Sequence, residues 1–334
     1  MKSMSVTQIN VYEGPDAIRD FLNPGKCLPT PLVELPESVN PFRADGVRIF
    51  AKLAYLSPLL NIKYLPVWNM LADAQSCGAL DGVHTIVESS SGNAAFSLSV
   101  IARLFGVKRT IAYVPFDIAP GKLDMLRLCG VQPELKRGAP DELSAIAQAR
   151  EAGRKEGFFS PWQYGNEANP AAYEKWFAPE IWRQTHEALT VFAAGLGTTG
   201  TLIGSARYFR RRRRKVTIVG AMCAPNEAVP GMRSAAKLEE ISLDWHSMTD
   251  AVVDVRAKES FRRSLQLCRE GILGGPGSGF ALAGLCRFLK ERKAKAGLDD
   301  LRNRRSEVVA AFVCGDTPLP YLDKYSTYLE ASEF

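Results

Sequence analysis

Short apolar runs rich in β-branched residues alternate along the chain with longer segments whose apolar residues recur every three or four positions. The runs predict strands at residues 47–53, 85–88, 110–114, 189–194, 216–222 and 308–313. The periodic segments predict helices at residues 67–76, 94–105, 141–156, 173–185, 201–214, 259–270 and 280–295. Alternation of this kind is typical of parallel α/β structure. We therefore expect two α/β lobes with a ligand-binding cleft between them.

Length and charge refine this picture only slightly. The 334 residues correspond to about two domains at roughly 150 residues each. The net charge of +6 equals the six positive charges of residues 210–215, five arginines and one lysine, so the rest of the chain is balanced. This run is either a nucleic-acid or targeting patch or the solvated end of a helix. We favour the helix end, because no second basic or aromatic segment accompanies it.

The cysteine and histidine content argues against disulfide and metal chemistry. Seven cysteines are scattered without a C-x-x-C pair, and three histidines are far apart in the sequence. This usage is typical of reduced thiols in a reducing compartment. The first eight residues also lack the apolar core of a secretory signal, so we expect a cytoplasmic protein without a metal site.

A glycine-rich motif follows the predicted strand at residues 189–194. The segment Gly195-Leu196-Gly197-Thr198-Thr199-Gly200 matches G-x-G-x-x-G and opens a predicted helix. A dinucleotide site needs an acidic residue at the end of the next strand, which ends here in Gly220-Ala221-Met222-Cys223. Backbone N–H groups, hydroxyls and the helix dipole nevertheless suit a phosphate. We predict a phosphate-binding loop and no NAD site.

Two further segments carry candidate chemistry. The turn Glu88-Ser89-Ser90-Ser91-Gly92-Asn93 precedes a predicted helix and is either an ordinary N-cap or a site for a carboxylate or phosphate. Lys63 is a lone cation among apolar residues before the helix at residues 67–76. Apolar surroundings should lower the pKa of such a lysine, and a neutral amine is the form that Schiff-base chemistry needs.

These elements, in this order, resemble the fold-type II pyridoxal-phosphate (PLP) enzymes, and specifically the cysteine synthase and cystathionine β-synthase family. The resemblance runs from Thr30-Pro31-Leu32 to Tyr321-Leu322. It implies a two-lobed, tryptophan synthase β-like α/β fold. Each lobe would be a mainly parallel sheet flanked by helices, and the active site would lie in the cleft between the lobes. Residues 50–155 would form a smaller, mobile lobe, and residues 1–49 with 156–334 the larger, phosphate-binding lobe.

The resemblance also implies roles for individual residues. Lys63 would bind PLP covalently and act as the catalytic base. Asp316-Thr317 falls where the family has a Ser or Thr bonded to the pyridine nitrogen, which assigns that contact to Thr317. The other predicted cofactor-binding residues are Asn93, Gly197, Thr198, Thr199, Gly200 and Thr201. The predicted substrate-binding residues are Ser90, Ser91, Gly92, Asn93, Gln163 and, less typically of the family, Arg233.

The implied reaction is replacement of a β-substituent on serine, O-acetylserine or O-phosphoserine by a thiol or amine, in a cytoplasmic homodimer that binds neither nucleic acid nor membrane. Several positions depart from the family pattern: Leu59, Leu60, Tyr64 and Ala94 replace smaller or more polar residues. The loop at residues 228–234 looks more like that of enzymes making 2,3-diaminopropionate precursors for siderophores. Two alternatives stay open, namely β-elimination of the serine or threonine dehydratase kind and a catalytically silent protein that acts through protein contacts.

Overall fold

The computed structural model describes residues 10–90, 92–116, 118, 120–136, 144–212 and 216–334. The strands of this part are β1 (Leu32–Glu34), β2 (Val47–Leu53), β3 (Thr85–Ser89), β4 (Arg109–Pro115), β5 (Val131–Lys136), β6 (Phe158–Phe159), β7 (Val191–Gly195), β8 (Thr217–Cys223), β9 (Ala251–Val255) and β10 (Val308–Cys314). The α-helices are α1 (Ala17–Leu22), α2 (Tyr64–Ser76), α3 (Asn93–Ala102), α4 (Pro120–Leu128), α5 (Ala145–Ala152), α6 (Ala168–Ala172), α7 (Ala178–Gln184), α8 (Gly200–Arg210), α9 (Ala235–Leu238), α10 (Ala257–Arg269), α11 (Pro276–Ala296) and α12 (Leu322–Tyr328).

The strands form two sheets, as the sequence predicts. The larger sheet has the order β1-β2-β10-β7-β8-β9, and all its neighbours are parallel except β1, which runs antiparallel to β2. The smaller sheet has the order β5-β4-β3-β6 and is parallel throughout. Parallel strands covered by helices on both faces read as continuous apolar runs. All seven residues of β10 are accordingly buried.

The described residues contain each predicted strand and a helix within each predicted helical segment, whereas residues 141–143 of the helix predicted at 141–156 lie outside the described residues. Each of the six predicted strands is present, with its ends shifted by at most two residues. The helix predicted at residues 173–185 is present but not uniform, because its first turn, Tyr173–Phe177, is π-helical and is followed by α7. Pro179 lies in the first turn of α7 and has no N–H to donate to the carbonyl of Lys175. The turn before this proline is π-helical, so its backbone hydrogen bonds join residues five apart in place of the four of an α-helix.

Sheet membership places the lobe boundaries differently from the sequence. Residue 50 falls inside β2, which pairs with β1 and β10 and so belongs wholly to the larger sheet. At the other boundary, β6 lies beyond residue 155 but pairs with β3 in the smaller sheet. Pairing decides which sheet a strand joins, and neither limit carries a signal in the local sequence. The smaller sheet thus spans residues 85–159, and the lobe boundaries at residues 50 and 155 stay a prediction.

The arginine run begins as the end of a helix. Helix α8 ends at Arg210, whose guanidinium forms an ion pair with Asp250 (3.2 Å). Arg211 pairs with Glu174 on the π-helical turn. Residues 213–215 lie outside the described residues. Within the described part, these arginines bind acidic residues of the same lobe, which favours the helix-end interpretation.

A buried ion pair joins β2 to α7. The ammonium of Lys52 is fully buried and donates to Glu180 Oε2 (2.5 Å), Gln184 Oε1 (3.0 Å) and the carbonyl oxygen of Thr30 (2.6 Å). Removal from water lowers the pKa of Lys52, while the Glu180 carboxylate opposes that shift. These three acceptors use all three N–H donors of the ammonium, so we interpret Lys52 as a structural residue of the larger lobe.

We expect Lys52→Met to lower the free energy of unfolding by about 3–5 kcal/mol, because it leaves the Glu180 carboxylate without its cation. Lys293→Met is the control, since Lys293 pairs with Asp45 at the surface and such pairs contribute about 1 kcal/mol or less. Urea denaturation of both variants measures the difference. Equal losses in the two variants would contradict the structural role of Lys52.

Candidate active site

One cavity of about 350 Å³ lies between the two sheets, where β3, β7 and β10 end. The carboxyl ends of parallel strands are where α/β folds place ligands. The cavity wall contains most of the residues predicted from the sequence: Lys63, Ser90, Gly92, Asn93, Gln163, Gly197, Thr198, Thr201 and Arg233. Residues separated by up to 170 positions in the sequence therefore meet in one place.

Lys63 is positioned by a network of hydrogen bonds around Asn61. The backbone N–H of Lys63 donates to Asn61 Oδ1 (2.9 Å), and the hydroxyl of Ser97 donates to the same oxygen (3.1 Å). Asn61 Nδ2 in turn donates to the carbonyl oxygen of Leu59 (2.6 Å). Leu60 adopts a left-handed φ of 52° in this turn, a conformation that disfavours residues with a Cβ. Within the described residues, no hydrogen bond or ion pair engages the Lys63 ammonium, so it is available to a ligand.

The loop before α8 is built to bind an anion. None of the hydrogen bonds recorded among the described residues uses the backbone N–H groups of Gly197, Thr198 and Thr199, which precede the first helical residue. A Cβ on Gly197 would lie 2.4 Å from the carbonyl oxygen of Gly231, so this close approach requires glycine. Free N–H groups at a helix N-terminus are a ready site for phosphate.

Two predicted residues of this loop shape it without lining the cavity. Thr199 has a φ of 65° and donates its hydroxyl to the carbonyl oxygen of Thr198 (2.7 Å). A Cβ on Gly200 would lie 2.1 Å from Oδ1 of the buried Asn169. That residue donates its Nδ2 to the carbonyl oxygen of Gln163 (2.7 Å) and to the Thr198 hydroxyl (3.2 Å). Asn169, which the sequence did not single out, thus joins the loop to the opposite wall.

The hydroxyl-rich turn between β3 and α3 forms the facing wall. Ser90 Oγ accepts hydrogen bonds from the backbone N–H groups of Gly92 (3.4 Å) and Ala95 (3.3 Å), which makes it a cap of α3. Ser90 also lines the cavity, so the two interpretations of this turn are compatible. Gln163 donates its Nε2 to the carbonyl oxygen of Ser89 (3.3 Å) and lies beside the turn. Ser91 lies outside the described residues.

Glu88 joins this turn to the segment that carries Gln163. Its carboxylate is buried and accepts from the backbone N–H groups of Ser89 (2.9 Å) and Gln163 (3.1 Å). Burial raises the pKa of Glu88 to about 7, although these hydrogen bonds oppose the shift. The protonation of this single carboxyl therefore bears on the position of both substrate-side segments.

Thr317, predicted to contact the pyridine nitrogen, lies beside the cavity wall rather than in it. Its neighbour Asp316 lines the cavity, whereas Thr317 does not, and the carbonyl of Thr317 packs against Gly275. Successive residues of an extended chain face opposite sides. Shifting the assignment by one residue therefore replaces a hydroxyl with a carboxylate at the cavity wall. Asp316 Oδ2 accepts from Asn93 Nδ2 (2.7 Å) and from the Tyr321 hydroxyl (2.6 Å).

Two lysines in the wall were not identified from the sequence. Lys122 on α4 lies with its ammonium 4.5 Å from the centre of the Tyr321 ring, and Lys237 lies on α9. Removal from water lowers the pKa of Lys122. Neither residue belongs to a motif, so only the fold brings them to the cavity. With Arg233 they add positive charge to the cavity wall.

Comparison with known proteins agrees with this geometry. The family model described as "Pyridoxal-phosphate dependent enzyme" matches residues 25–315. Cysteine synthase B of Escherichia coli K12 is 30% identical over 287 residues, which cover 85% of this chain and 89% of that protein. Cysteine synthase A of the same organism is 30% identical over 281 residues, covering 78% and 84% respectively.

Solved structures give the same fold at lower identity. The cysteine synthase of Entamoeba histolytica superposes with a TM-score of 0.77 at 21% identity, covering 99% of this chain and 95% of that one. An O-ureido-L-serine synthase superposes with a TM-score of 0.74 at 24% identity, covering 90% and 93%. At these identities the similarity supports the fold and leaves the substrate open.

The cavity fits PLP on grounds of its own. The free N–H groups and close-packed Gly197 suit the cofactor phosphate. The side chain of Lys63, which has no hydrogen-bond or ion-pair partner among the described residues, suits Schiff-base formation with the aldehyde of the cofactor. The polar wall at Asn93 and Asp316 suits the edge of the ring that carries its oxygen and nitrogen atoms.

Ionisation of Glu88 should make the protein less stable at higher pH. A carboxyl whose folded pKa lies above its unfolded value stabilises the fold below the unfolded pKa, and that contribution is lost as the pH rises through about 7. Between pH 5 and pH 8 the wild type should therefore lose about 2–3 kcal/mol relative to Glu88→Gln. Urea denaturation at the two pH values measures this difference. A difference that does not change with pH would contradict the raised pKa.

Filling the space at Gly197 should weaken cofactor binding. A side chain in Gly197→Val would push the loop away from residue 231 and from the phosphate, and we expect the dissociation constant of PLP to rise roughly tenfold or more, as for one lost charge-assisted hydrogen bond. Gly121→Val is the control, because a Cβ there meets no atom within 4 Å. Fluorescence titration of the apoprotein gives both constants. An unchanged PLP affinity would move the phosphate site elsewhere.

Proposed function

Because the chain belongs to the pyridoxal-phosphate dependent enzymes, and among them to the cysteine synthase family, we propose that it is a PLP-dependent β-replacement enzyme. Its first substrate is L-serine or an O-activated L-serine, such as O-acetylserine or O-phosphoserine. Its second is a thiol or amine. The named relatives support a cysteine synthase-like reaction, and the cationic cavity supports a substrate or nucleophile with a second negative charge.

One observation carries this proposal: Lys63 shares a single cavity with the N-termini of two helices, α3 and α8. A helix N-terminus favours an anion. The α8 terminus lies behind the glycine-rich loop and takes the cofactor phosphate. The α3 terminus lies behind the hydroxyl-rich turn and takes the substrate carboxylate. Lys63 then stands between a bound cofactor and a bound amino acid.

The residues of the cavity divide the work between binding and proton transfer. When bound, PLP accepts the electron pair left on the α-carbon after the α-proton is removed. The amine of Lys63 is the base that takes this proton. Ser90, Gly92 and Gln163 hold the substrate carboxylate and orient the α-carbon towards that amine. Ala94 has no hydroxyl to offer, so this carboxylate relies on the remaining donors of the turn and on Gln163.

Arg233 is held in a fixed position at the substrate side. Its guanidinium lies 4.7 Å from the centre of the Tyr164 ring and donates to the carbonyl oxygen of Lys237 (2.9 Å). Glu240 Oε2 lies 3.8 Å away, at the long end of ion-pair distances. A guanidinium oriented by stacking keeps further donors for a bidentate contact with phosphate or carboxylate. We assign Arg233 to the anionic group that distinguishes this enzyme's substrate.

The remaining proposals concern assembly and location. We propose a homodimer in the cytoplasm, on the strength of the family resemblance. Among the described residues no helix is both long and apolar enough to cross a membrane.

A substrate panel tests the reaction type. The PLP-loaded enzyme is incubated with L-serine, O-acetyl-L-serine, O-phospho-L-serine or L-cysteine, each with sulfide or an α-amino acid as nucleophile, and products are identified by mass spectrometry. We expect a β-substituted alanine from at least one pair and none from Lys63→Ala. Pyruvate and ammonia without a substituted product would indicate β-elimination instead. No product from any pair would favour the catalytically silent alternative.

We predict that Arg233→Ala raises the KM for one anionic substrate roughly tenfold to hundredfold, the equivalent of a charged hydrogen bond of about 1.5–3 kcal/mol. The absorbance of bound PLP should not change, and Arg233→Lys should restore only part of the affinity. Exposed Arg256 offers the control Arg256→Ala. Identical kinetics of wild type and Arg233→Ala with every reactive substrate would make Arg233 an ordinary surface charge.

A further inference from the structure

Asp316 is the one acidic side chain among the described residues that line the cavity. It lies two residues after the end of β10, and an isolated bridge pairs it with Asn61, two residues before Lys63 in the chain. Both hydrogen bonds recorded for its carboxylate fall on Oδ2, from Asn93 and Tyr321. The cavity wall at Asn93 and Asp316 suits the polar edge of the PLP ring, but no substrate-binding or proton-transfer role described above uses this carboxylate.

The glycine-rich segment at the start of α11 makes room for Asp316. A Cβ on Gly275 would lie 2.8 Å from Asp316 Oδ1 and 2.6 Å from the carbonyl oxygen of Thr317. A Cβ on Gly277 would lie 3.9 Å from the same Oδ1. The glycines at the start of α11 therefore lie close to the acidic residue that follows β10. The glycines accommodate a side chain that is longer than a hydroxyl residue.

The carboxylate of Asp316 lacks a cation among the described residues. Removal from water raises its pKa, whereas Tyr321, Asn93, Lys122 and Lys63 lower it. The ion pairs recorded in the described part of the chain include none between Asp316 and either lysine, and Lys122 lies over the Tyr321 ring instead. A charged group withdrawn from water needs a partner of opposite charge. A cationic ligand of the cavity would supply that partner and favour the ionised carboxylate.

We propose that Asp316 pairs with the ring nitrogen of bound PLP and keeps that nitrogen protonated. The inference rests on the proposed function only in that PLP occupies this cavity. A protonated ring accepts electrons more strongly than one facing a hydroxyl. The bond between the α-carbon and its hydrogen then breaks more readily, the proton passing to Lys63 and the electron pair to the ring. Return of a solvent proton restores the amino acid, so α-hydrogen exchange should accompany β-replacement.

The direct test measures the ring nitrogen without turnover. PLP labelled with ¹⁵N at the ring is bound to the wild type, to Asp316→Ser and to Asp323→Asn, a control on the exposed face of α12. We expect the ¹⁵N chemical shift of a protonated pyridine in the wild type and the control, and that of an unprotonated pyridine in Asp316→Ser. An unprotonated nitrogen in the wild type would overturn the proposal.

A second measurement keeps the proposal testable if Asp316→Ser does not fold. The wild-type apoprotein is titrated with PLP and with an analogue in which C–H replaces the ring nitrogen. Loss of a charge-assisted hydrogen bond predicts roughly tenfold or greater weakening for the analogue, and equal affinities would refute the pairing. A protonated nitrogen in an enzyme without β-replacement would instead refute the reaction and leave Asp316 paired. Normal β-replacement with an unprotonated nitrogen would refute the pairing of Asp316 and leave the proposed reaction in place.

Discussion

In a parallel sheet every strand ends at the same edge, and this constraint determines where the chain can form a reactive site. Strands β3, β7 and β10 all end at the cavity between the lobes. The helices α3 and α8 begin there, so their free N–H groups and dipoles converge on the same space. Lys63 enters it from the start of α2. The positions of cofactor, substrate and base all follow from this geometry.

Much of the fold and part of the site are predictable from the sequence because they rest on local signals. The apolar runs identify six strands, and the glycine and hydroxyl residues at positions 197–201 and 90–93 identify two helix starts. Strands β1 and β6, with three and two residues, are too short to show a pattern. Lys122 and Lys237 carry no local signal, since only the packing of α4 and α9 brings them to the cavity. Asp316 differs from the predicted Thr317 by one residue, and in an extended segment one residue reverses the side that faces the ligand.

The departures from the family pattern occur around the site rather than across the fold. Leu60, in the turn before Lys63, adopts a left-handed backbone conformation that glycine would adopt more easily. Ala94 offers no hydroxyl to the proposed carboxylate site, and Asp316 places a carboxylate in the cavity wall beside Asn93. The scaffold that positions PLP is thus retained. Under the two proposals above, the changes affect how the substrate is held and how strongly electrons are withdrawn from it.

The central claim is that this cavity holds PLP on Lys63, and covalent trapping tests it most directly. Three lysines line the cavity in the described part of the chain, Lys63, Lys122 and Lys237. The buried Lys52, on β2 of the larger sheet, is a fourth candidate. Borohydride reduction of the PLP-loaded protein, followed by proteolysis and mass spectrometry, identifies the modified residue. The account predicts the phosphopyridoxyl group on Lys63 alone. Its attachment to Lys52, Lys122 or Lys237, with Lys63 unmodified, would contradict it.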